Sequence, residues 1–492
     1  MADHEQGTNP GDMATEATGT LAGREIETKV PARLDRLPWA RFHWMVVIGL
    51  GTVWILDGLE VTIIGSIGDR LTEGGSGIAV DASQIGSAAA CYVAGACVGA
   101  LFFGQLTDRF GRKKLFLVTL GLYILATIAT GFAWTPWYFF LCRFLTGAGI
   151  GGEYAAINSA IDELIPARVR GRVDLMINGS YWVGASVGAL LTVPLLDTSI
   201  FAMDLGWRLA FLIGAVLGVG ILIVRSHVPE SPRWLFIHGR DDEAEQIVGE
   251  IEDAVREETG EELEKVPDDE ALTIHQRERT PFREIAHTAI SRYPKRTILG
   301  LSLFVGQAFL YNAVTFDLGT ILGEFFDIGS GQVPLYLALF GVSNFLGPLT
   351  LGRLFDTVGR KVMISLSYLT SAGLTAALGV VLLSTTPSTW VFMLFVLAIF
   401  FFASSGASAA YLTVSEIFPM ETRALSIAFF YAVGTGAGGI VGPLLFGELI
   451  NTGELEKVAL GFLIGAAVMT IGGIAEILFG VNAEGKALES IA

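Results

Sequence analysis

Runs of about 20 mostly apolar residues recur along the chain, and short polar segments separate them. A helix of that length spans the hydrocarbon core of a bilayer and satisfies its backbone hydrogen bonds within its own segment. The pattern therefore predicts an all-α membrane protein with twelve transmembrane helices. The predicted spans cover residues 42–68, 83–105, 115–133, 137–160, 173–196, 207–227, 296–319, 332–352, 362–384, 389–413, 424–450 and 458–480.

A polar stretch in the middle of the chain divides these spans into six and six. The predicted organisation is an N-terminal tail (1–40), a first six-helix bundle (41–228), an acidic loop (229–294), a second six-helix bundle (295–480) and a C-terminal tail (481–492). Within the loop, apolar residues at positions 244, 247, 248, 251, 254 and 255 recur at helical spacing. This spacing predicts an acidic amphipathic helix.

The composition agrees with a membrane protein and excludes a water-soluble globule. Hydrophobic residues make up 52% of the chain and charged residues 16%, whereas soluble proteins are about 25% charged. The net charge of −17 comes largely from residues 240–290, which hold 17 acidic and 6 basic residues. Because an acidic loop repels polyanions, no nucleic-acid partner is expected.

Lysine and arginine lie mainly in the loops that follow the even-numbered spans. These loops hold Arg109, Arg112, Lys113, Lys114, Arg168, Arg170, Arg172, Arg353, Arg360, Lys361 and Arg423. Because short cytoplasmic loops carry the excess of basic residues, the asymmetry predicts that both termini and the acidic loop are cytoplasmic. The expected location is the plasma membrane, which the chain would cross many times.

Two motifs occur once in each half of the chain. The first, G-x-x-x-D-x-x-G-R-K, covers residues 104–113 and returns 248 residues later at 352–361. The second, E-x-x-P-x-x-x-R, covers residues 163–170 and returns 253 residues later at 416–423. Two matches in the same order indicate two parallel six-helix repeats. Such an architecture places a substrate site at the midplane between the repeats and suits alternating access.

At these motifs the chain resembles the major facilitator superfamily, over nearly everything from residue 40 to 480. GQLTDRFGRKK (104–114) resembles the family's signature loop, and GRLFDTVGRK (352–361) resembles its second copy. RFLTGAGIGG (143–152), PESPRWL (229–235) and SEIFPMETR (415–423) are similar to the sugar-porter-like branches. The resemblance implies the major facilitator fold of two pseudo-symmetric six-helix bundles. In resembling families a helix of the central loop braces the two bundles; a solvated linker is the alternative here.

Charged residues of both motifs are predicted to lie at the cytoplasmic ends of helices. There, helix dipoles and opposite charges can hold neighbouring helices together in one conformation and release them in the other. The resemblance implies this gating role for Asp108, Arg112, Glu163, Arg170, Asp356, Arg360, Glu416 and Arg423. The alternative is that these residues only fix the topology and cap helices.

Predicted spans 1 and 4 each contain two charged residues: Asp57 and Glu60 in span 1, and Arg143 and Glu153 in span 4. A charge at the bilayer centre costs about 2.5–3.5 kcal/mol on insertion scales, so these groups are expected to face a cavity and pair with one another. The spacing of Asp57 and Glu60 places both carboxylates on one helix face. A purely structural ion pair is the alternative to a functional site.

In sugar porters an aspartate of span 1 pairs with the arginine that opens R-x-x-x-G-x-G in span 4. By resemblance these residues are Asp57 and Arg143. An arginine that moved away during transport would let the carboxylate take up a proton. We therefore hypothesise that Asp57 carries the proton and that Arg143 is its switch, with Glu60 and Glu153 in the same proton-coupling group.

The substrate signature of sugar porters is only partly present. Span 7 of those proteins carries Q-Q-x-x-G-x-N, of which GQAFLYN keeps Gln307 and Asn312. In span 10, Tyr411 stands where sugar porters have tryptophan. GGEY (151–154) resembles metabolite–proton symporters for organic acids, and DGLE (57–60) resembles an element of aromatic-acid symporters. The predicted substrate-binding residues are Gln307, Asn312, Tyr311, Tyr411, Asn178, Trp182 and Asn344, with Tyr181 and Asp317 as further cavity candidates.

The leading hypothesis is a secondary active transporter that moves a small metabolite together with protons. An organic acid, an aromatic acid and a sugar all remain open as substrates, and a facilitative sugar uniporter is the alternative. The expected partners are the small-molecule substrate, protons and the lipid bilayer. The sequence shows no nucleophile in a catalytic context and no cluster with metal-ligand spacing, so neither enzymatic activity nor a cofactor or metal is predicted.

Overall fold

The computed structural model describes residues 25–78, 80–225, 230–267, 271–275, 290–291, 293–417 and 423–481. The side chains of several helical residues within these ranges lie outside the described part. Short elements outside the predicted spans are β1 (Glu25–Thr28), α1 (Val30–Asp35), α8 (Pro232–Ile237), α9 (Asp241–Thr259) and β2 (Leu272–His275). The remainder of the described chain is built almost entirely of long helices.

Twelve long helical segments follow the predicted spans in order. They are α2 (Arg41–Thr72), α3 (Ala82–Phe110), α4 (Arg112–Gly131), α5 (Pro136–Leu164), α6 (Ala167–Leu195), α7 (Gly206–Arg225), α10 (Pro294–Phe326), α11 (Val333–Thr357), α12 (Arg360–Ser384), α13 (Thr389–Ile417), α14 (Arg423–Phe430) with α15 (Gly436–Asn451), and α16 (Leu455–Phe479). Within the described residues, ten of these segments are long and apolar enough to cross a membrane. The other two, α5 and α6, have 29 residues each and carry polar positions such as Arg143 and Asn178. The predicted all-α fold is confirmed.

The helix boundaries follow from the local sequence. At the start of α3 the Gln84 N–H donates to Asp81 Oδ1 at 2.8 Å, and the Asp81 N–H donates to Gln84 Oε1 at 3.2 Å, which forms a capping box. The turns after α3 and α11 contain Gly111 (φ 97°) and Gly359 (φ 113°). Side chains rarely tolerate this conformation. Because the two glycines occupy the same place in the two motif copies, the repeat in the sequence is also a repeat in the backbone.

The eleventh span is interrupted in its middle. α14 ends at Phe430, residues Tyr431–Thr435 form a π-helical turn, and α15 begins at Gly436. A π turn inside a helix is uncommon and frequently lies at a functional site. Tyr431 and Thr435, at the two ends of this turn, both face the space between the bundles.

The two bundles pack closely at one end of the molecule, which we call the distal end. A Cβ atom on Gly65 of α2 would lie 2.3 Å from the carbonyl oxygen of Thr315 of α10. A Cβ atom on Gly86 of α3 would likewise lie 2.5 Å from the carbonyl oxygen of Pro443 of α15. Small residues let helix backbones approach this closely in a membrane, where van der Waals packing joins helices. These contacts bring the bundles together at the distal end.

The elements β1, α1, α8, α9 and β2 form an extramembrane domain at the other end. β1 and β2 pair antiparallel, with Glu25 opposite His275 and Thr28 opposite Leu272. An apolar cluster joins the helices, and its members are Val30, Leu34, Leu37, Ala40, Trp234, Leu235, Phe236, Ala244, Val248, Ile251 and Val255. The predicted amphipathic helix is confirmed as α9. Residues 25–40, expected to be part of a polar tail, instead pack against it because Val30, Leu34 and Leu37 lie on one apolar face.

Ion pairs tie the N-terminal segment to α9. Arg33 Nη2 lies 2.8 Å from Glu252 Oε2, and Arg36 Nη2 lies 2.5 Å from Glu252 Oε1. Burial alone would raise the pKa of Glu252, but the hydrogen bonds from the two arginines hold that pKa below its usual value. The hydrogen bond to Glu252 raises the pKa of Arg33 in turn. The segment that leads into α2 is therefore fixed to the central loop by charge and by apolar packing.

Candidate functional site

A cavity of about 140 Å³ lies between the two bundles. Helices α2, α3, α5 and α6 of the first bundle and α10, α13 and the π turn of the second contribute to its walls. The aromatic residues of the lining are Trp54, Tyr92, Tyr154, Tyr181, Trp182, Tyr311 and Tyr431. The hydrogen-bonding residues of the lining are Asn178, Gln307, Asn312, Thr315, Ser404, Ser408 and Thr435. No charged residue occurs in this lining, as far as the chain is described.

The aromatic residues of the cavity wall contact one another through their rings. Trp54 stacks on Tyr154 with ring centroids 4.8 Å apart and planes 11° apart. Tyr154 in turn meets Tyr431 edge to face at 5.0 Å, across the boundary between the bundles. On another wall, Trp182 lies 5.5 Å from Tyr311 of the second bundle with a tilt of 36°. Both bundles thus contribute rings to one continuous apolar surface.

Five residues of the lining carry a buried polar atom with no hydrogen-bond partner in the described structure. These atoms are Trp54 Nε1, Tyr92 Oη, Asn178 Oδ1, Gln307 Oε1 and Ser404 Oγ. A buried polar group without a partner costs about 1–3 kcal/mol. A ligand or a rearrangement that paired these atoms would recover that free energy, so the cavity is suited to bind something polar as well as aromatic.

Five of the seven predicted substrate-binding residues line the cavity, namely Asn178, Trp182, Gln307, Tyr311 and Asn312. Asn344 does not line it; its Oδ1 accepts a hydrogen bond from the Tyr311 hydroxyl at 2.8 Å and so orients that ring. The side chain of Tyr411 lies outside the described residues. Asp317, a further candidate, is fully buried in α10 and is not part of the lining.

Behind the cavity, the first bundle buries an ion pair. Arg143 Nη1 of α5 lies 2.6 Å from Glu60 Oε1 of α2, and both side chains are almost completely buried. Arg143 Nη2 also donates to the hydroxyls of Thr130 at 3.0 Å and Thr146 at 3.1 Å. Its guanidinium carbon lies 4.8 Å from the centre of the Phe211 ring. The arginine is held by one carboxylate, two hydroxyls and an aromatic face.

The expected partner of Arg143 was Asp57, and the structure corrects this expectation. Glu60, one helical turn along the same face of α2, takes the arginine. Asp57 is equally buried, and its Oδ2 has no hydrogen-bond partner among the described residues. Since residues three apart share a helix face, spacing alone cannot decide between the two carboxylates. The longer glutamate side chain reaches the guanidinium in this structure.

Glu153, the fourth predicted proton-coupling residue, is also buried in α5. None of the four, Asp57, Glu60, Arg143 or Glu153, belongs to the cavity lining. The structure therefore separates a neutral aromatic cavity from a charged cluster behind it. A direct contact between Arg143 and a substrate carboxylate is not available in this conformation.

Of the eight predicted gating residues, Arg112 and Arg360 have described side chains, and both lie at helix starts after a motif glycine. The side chains of the other six lie outside the described residues, namely Asp108, Glu163, Arg170, Asp356, Glu416 and Arg423. The Arg112 and Lys113 N–H groups each donate to the Glu230 carboxylate at 3.1 Å. The Glu230 carboxylate thus caps the N-terminus of α4, where an anion is stabilised.

Several cavity residues carried no clear signal in the sequence. Trp54, Tyr92 and Tyr431 lie inside apolar runs, where an aromatic side chain predicts membrane contact as readily as a binding surface. Tyr154 belongs to the GGEY element, whose resemblance indicated a substrate class but no individual contact. Their common feature is a mid-span aromatic ring within a few residues of glycine or alanine, which leaves room for a cavity.

Comparisons with known proteins agree with this architecture. The profile of the family described as "Sugar (and other) transporter" matches residues 58–492. The niacin transporter NiaP of Acinetobacter baylyi is 27% identical over 468 residues, covering 94% of this chain and 99% of that protein. The 4-hydroxybenzoate transporter PcaK of Pseudomonas putida is 25% identical over 449 residues, covering 90% and 94%.

Two solved structures share the fold of this chain over most of their own length. The proton:xylose symporter XylE bound to 6-bromo-6-deoxy-D-glucose matches with a TM-score of 0.73 at 18% identity, over 92% of this chain and 98% of that chain. The xylose transporter XylE from E. coli in a partially occluded inward-open conformation matches with a TM-score of 0.69 at 18% identity, over 91% and 100%. These likenesses show that the two-bundle major facilitator architecture predicted from the sequence is correct.

Proposed function

The chain belongs to the sugar (and other) transporter family, and from this premise we propose that it is a proton-coupled symporter of single-ring aromatic or heteroaromatic acids. The observation that carries the proposal is the aromatic-walled cavity of about 140 Å³ between the bundles. A protein cavity of about 150 Å³ is large enough to bind benzene. One six-membered ring therefore fits this space, and the rings around it offer stacking and edge contacts.

The names of two relatives support an aromatic acid. Niacin and 4-hydroxybenzoate, which those names give as substrates, are both single-ring aromatic acids. The alternative, facilitative uniport of a sugar, rests on Gln307 and Asn312, which line the cavity and also occur in the sugar-porter pattern. A sugar, however, has no aromatic ring and so gains no ring-on-ring stacking from the seven aromatic residues of the wall.

The charge of the cavity supports coupling to protons. An acid enters as an anion at neutral pH, and the described lining offers it only neutral hydrogen-bonding groups such as Asn312 and Ser408. An unpaired anion in a poorly solvated site is costly. Moving a proton together with the anion removes the net charge that would otherwise cross the membrane.

We assign proton carriage to Glu60 and the switch to Arg143, in place of the pairing expected from the sequence. In the present conformation Arg143 compensates the charge of Glu60 at 2.6 Å. When α2 and α5 separate in the transport cycle, Glu60 loses that compensation and takes up a proton from the water phase. The neutral glutamic acid no longer attracts Arg143, so α2 and α5 can stay apart within the first bundle until the proton leaves on the other side and the pair re-forms.

We also propose that the extramembrane domain lies in the cytoplasm and that the protein resides in the plasma membrane. The basic loops lie at the same end as this domain, in keeping with the usual charge asymmetry of membrane proteins. Opening and closing of that end is assigned to Asp108, Arg112, Glu163, Arg170, Asp356, Arg360, Glu416 and Arg423. Tyr411 stays a predicted substrate contact.

Transport by the purified protein in proteoliposomes tests the proposal. A pH-sensitive dye inside the vesicles reports proton entry while nicotinate, 4-hydroxybenzoate or xylose is added outside, and protein-free vesicles measure passive entry of each acid. Internal acidification above that control with the aromatic acids alone is the expected result. Uptake of labelled xylose without any proton movement would make the protein a uniporter, and proton entry with xylose alone would contradict the proposed substrate class.

A further inference from the structure

Tyr92 of α3 belongs to the cavity wall, and its helix contacts the helix that carries Arg143. Its ring forms part of the cavity wall, whereas its hydroxyl is buried and has no hydrogen-bond partner in the part of the chain that is described. The ring meets Phe316 of the second bundle edge to face, with centroids 5.8 Å apart. One residue thus touches the substrate space, the opposite bundle and the interior of its own bundle.

The backbone of Tyr92 is fixed against the helix that carries Arg143. A Cβ atom on Gly147 of α5 would lie 2.0 Å from the Tyr92 carbonyl oxygen, so the two helices touch at this point. Arg143 is one helical turn from Gly147 on the same face of α5. Direct contact between the two helices therefore places the Tyr92 backbone one helical turn from Arg143.

Titratable groups on two neighbouring elements of the first bundle and on α6 act electrostatically on the Tyr92 hydroxyl. They are Glu60 and Asp57 on α2, Arg143 on α5 and Tyr181 on α6, with Glu60 the strongest. Tyr123 on α4 and Tyr154 on α5 also interact with Tyr92. From the second bundle, the apolar Phe316 ring faces it. Tyr92 thus combines a position in the cavity wall with an electrostatic interaction with Glu60 and Arg143.

We propose that Tyr92 is the positioning residue that links occupancy of the cavity to protonation of Glu60. A proton from the water phase binds the Glu60 carboxylate as Arg143 leaves, and the new carboxyl O–H donates to the oxygen of Tyr92. Arg143 keeps its hydrogen bonds to Thr130 and Thr146. A ring bound in the cavity packs against Tyr92 and holds its hydroxyl in place to accept that hydrogen bond. Release of the proton reverses each of these steps.

The inference rests on the proposed proton-coupled transport and deepens it. Without the Tyr92 oxygen, the neutral form of Glu60 would lack a partner, and proton binding would weaken. One net hydrogen bond corresponds to about a tenfold change in an equilibrium constant. Tyr92→Phe is therefore expected to move the pH midpoint of nicotinate uptake about one unit toward lower pH, with nicotinate exchange at low pH retained.

The experiment measures initial uptake of labelled nicotinate in proteoliposomes from pH 5 to 8, for the wild type and matched variants. Tyr431→Phe removes a hydroxyl from the same cavity on the π turn of the second bundle, so it is expected to leave the pH midpoint in place whatever it does to affinity. Phe316→Leu loosens the Tyr92 ring and is expected to move the midpoint in the same direction by less. In the Glu60→Gln background, adding Tyr92→Phe is expected to cause no further change in the pH dependence of nicotinate uptake.

The outcomes are distinguishable from a failure of the proposed function. Suppose that nicotinate uptake by the wild type depends on pH, and that the pH midpoint does not move in Tyr92→Phe or in Phe316→Leu. This result overturns the link between Tyr92 and Glu60 and leaves proton coupling intact. The same shift in Tyr431→Phe also overturns it, because the effect would then belong to any cavity hydroxyl. A wild type that takes up no probe, or takes it up without proton movement, overturns the proposed coupling and this inference together. Should Tyr92→Phe not be recovered as folded protein, Phe316→Leu decides.

Discussion

The two bundles share a backbone repeat but bury different chemistry. The first bundle holds a fully buried ion pair, with Glu60 and Arg143 2.6 Å apart and Asp57 one turn away. The matching interior of the second bundle holds neutral hydrogen bonds, such as that from the Tyr311 hydroxyl to Asn344 at 2.8 Å. The difference separates two tasks. A charge that can be switched lies in one half, and the other half supplies most of the neutral groups that face the substrate space.

The second bundle does contain buried carboxylates, which sharpens the contrast. Asp317 of α10 is fully buried, and within the described structure neither of its oxygens has a hydrogen-bond partner. In our proposal a carboxylate takes up a proton when its arginine partner moves away. Asp317 has no arginine partner in the described structure that could act in this way. We therefore place proton coupling in the first bundle and treat the second as the recognising half.

The largest expected effect comes from breaking the ion pair on one side. Arg143→Leu leaves Glu60 buried without its cation, and removing one partner of a buried pair costs about 3–5 kcal/mol. Thermal unfolding in detergent should show a strong loss of stability, and proton-driven uptake should disappear. Arg143→Leu combined with Glu60→Leu replaces the pair by apolar side chains and should regain most of the stability but none of the coupling. A single variant as stable as the wild type would contradict a buried pair.

The next effect comes from separating the bundles at the distal end. Gly65→Val adds atoms where Thr315 already lies within contact distance, and overpacking of this kind costs about 1–3 kcal/mol. The closed distal end should lose population, which hydrogen–deuterium exchange at the ends of α2 and α10 would detect. Gly49→Val on the same helix is the matched control, because no atom lies within 4 Å of the added Cβ. Equal exchange in both variants would argue against closure through this contact.

A smaller effect is expected in the second bundle. Tyr311→Phe removes the hydrogen bond to Asn344, worth about 0.5–1.5 kcal/mol, so substrate affinity should fall about two- to tenfold. The proton-to-substrate ratio should stay unchanged, since no charge is touched. Tyr368→Phe is the control, because it also loses a buried hydrogen bond, to the Leu303 carbonyl at 2.9 Å, but does not line the cavity. A changed proton-to-substrate ratio in Tyr311→Phe would contradict the assignment of proton coupling to the first bundle alone.

The smallest effect is expected in the extramembrane domain, which belongs to neither half. Arginine pairs hold the pKa of Glu252 below its usual value, about 4.3 when unperturbed. A lowered pKa in the folded state gives stability that is present above the unfolded pKa and is lost as pH falls through the folded one. Limited proteolysis of the domain should therefore accelerate below about pH 4.3 in the wild type. Glu252→Gln should be cleaved somewhat faster at neutral pH and show a flatter pH profile; identical profiles would contradict the role of the pairs.

The features that a local stretch of sequence determines could be predicted. Each span follows from a run of apolar residues, and the repeat follows from two short motifs. Five predicted substrate residues line the cavity, and a polar side chain in mid-span, such as Gln307 or Asn178, has few other favourable places.

The features that depend on which residues meet across helices could not be predicted. Asp57 and Glu60 are equivalent by spacing, and only the packing of α2 against α5 selects Glu60. The π turn at Tyr431–Thr435 has no periodic signal, although it delivers a ring to the cavity. Residues 25–40 were predicted as part of the N-terminal tail, but β1 pairs with β2 and α1 packs against α8 and α9.

The most direct test of the account compares Glu60→Gln with Asp57→Asn in proteoliposomes. Both variants neutralise one carboxylate of the same helix face, and both are assayed for proton entry per labelled nicotinate and for nicotinate exchange at equal pH. The account predicts that Glu60→Gln loses proton entry while exchange continues, and that Asp57→Asn keeps proton entry. Coupled proton entry in Glu60→Gln, with its loss in Asp57→Asn, would return the proton to Asp57 and contradict the central claim.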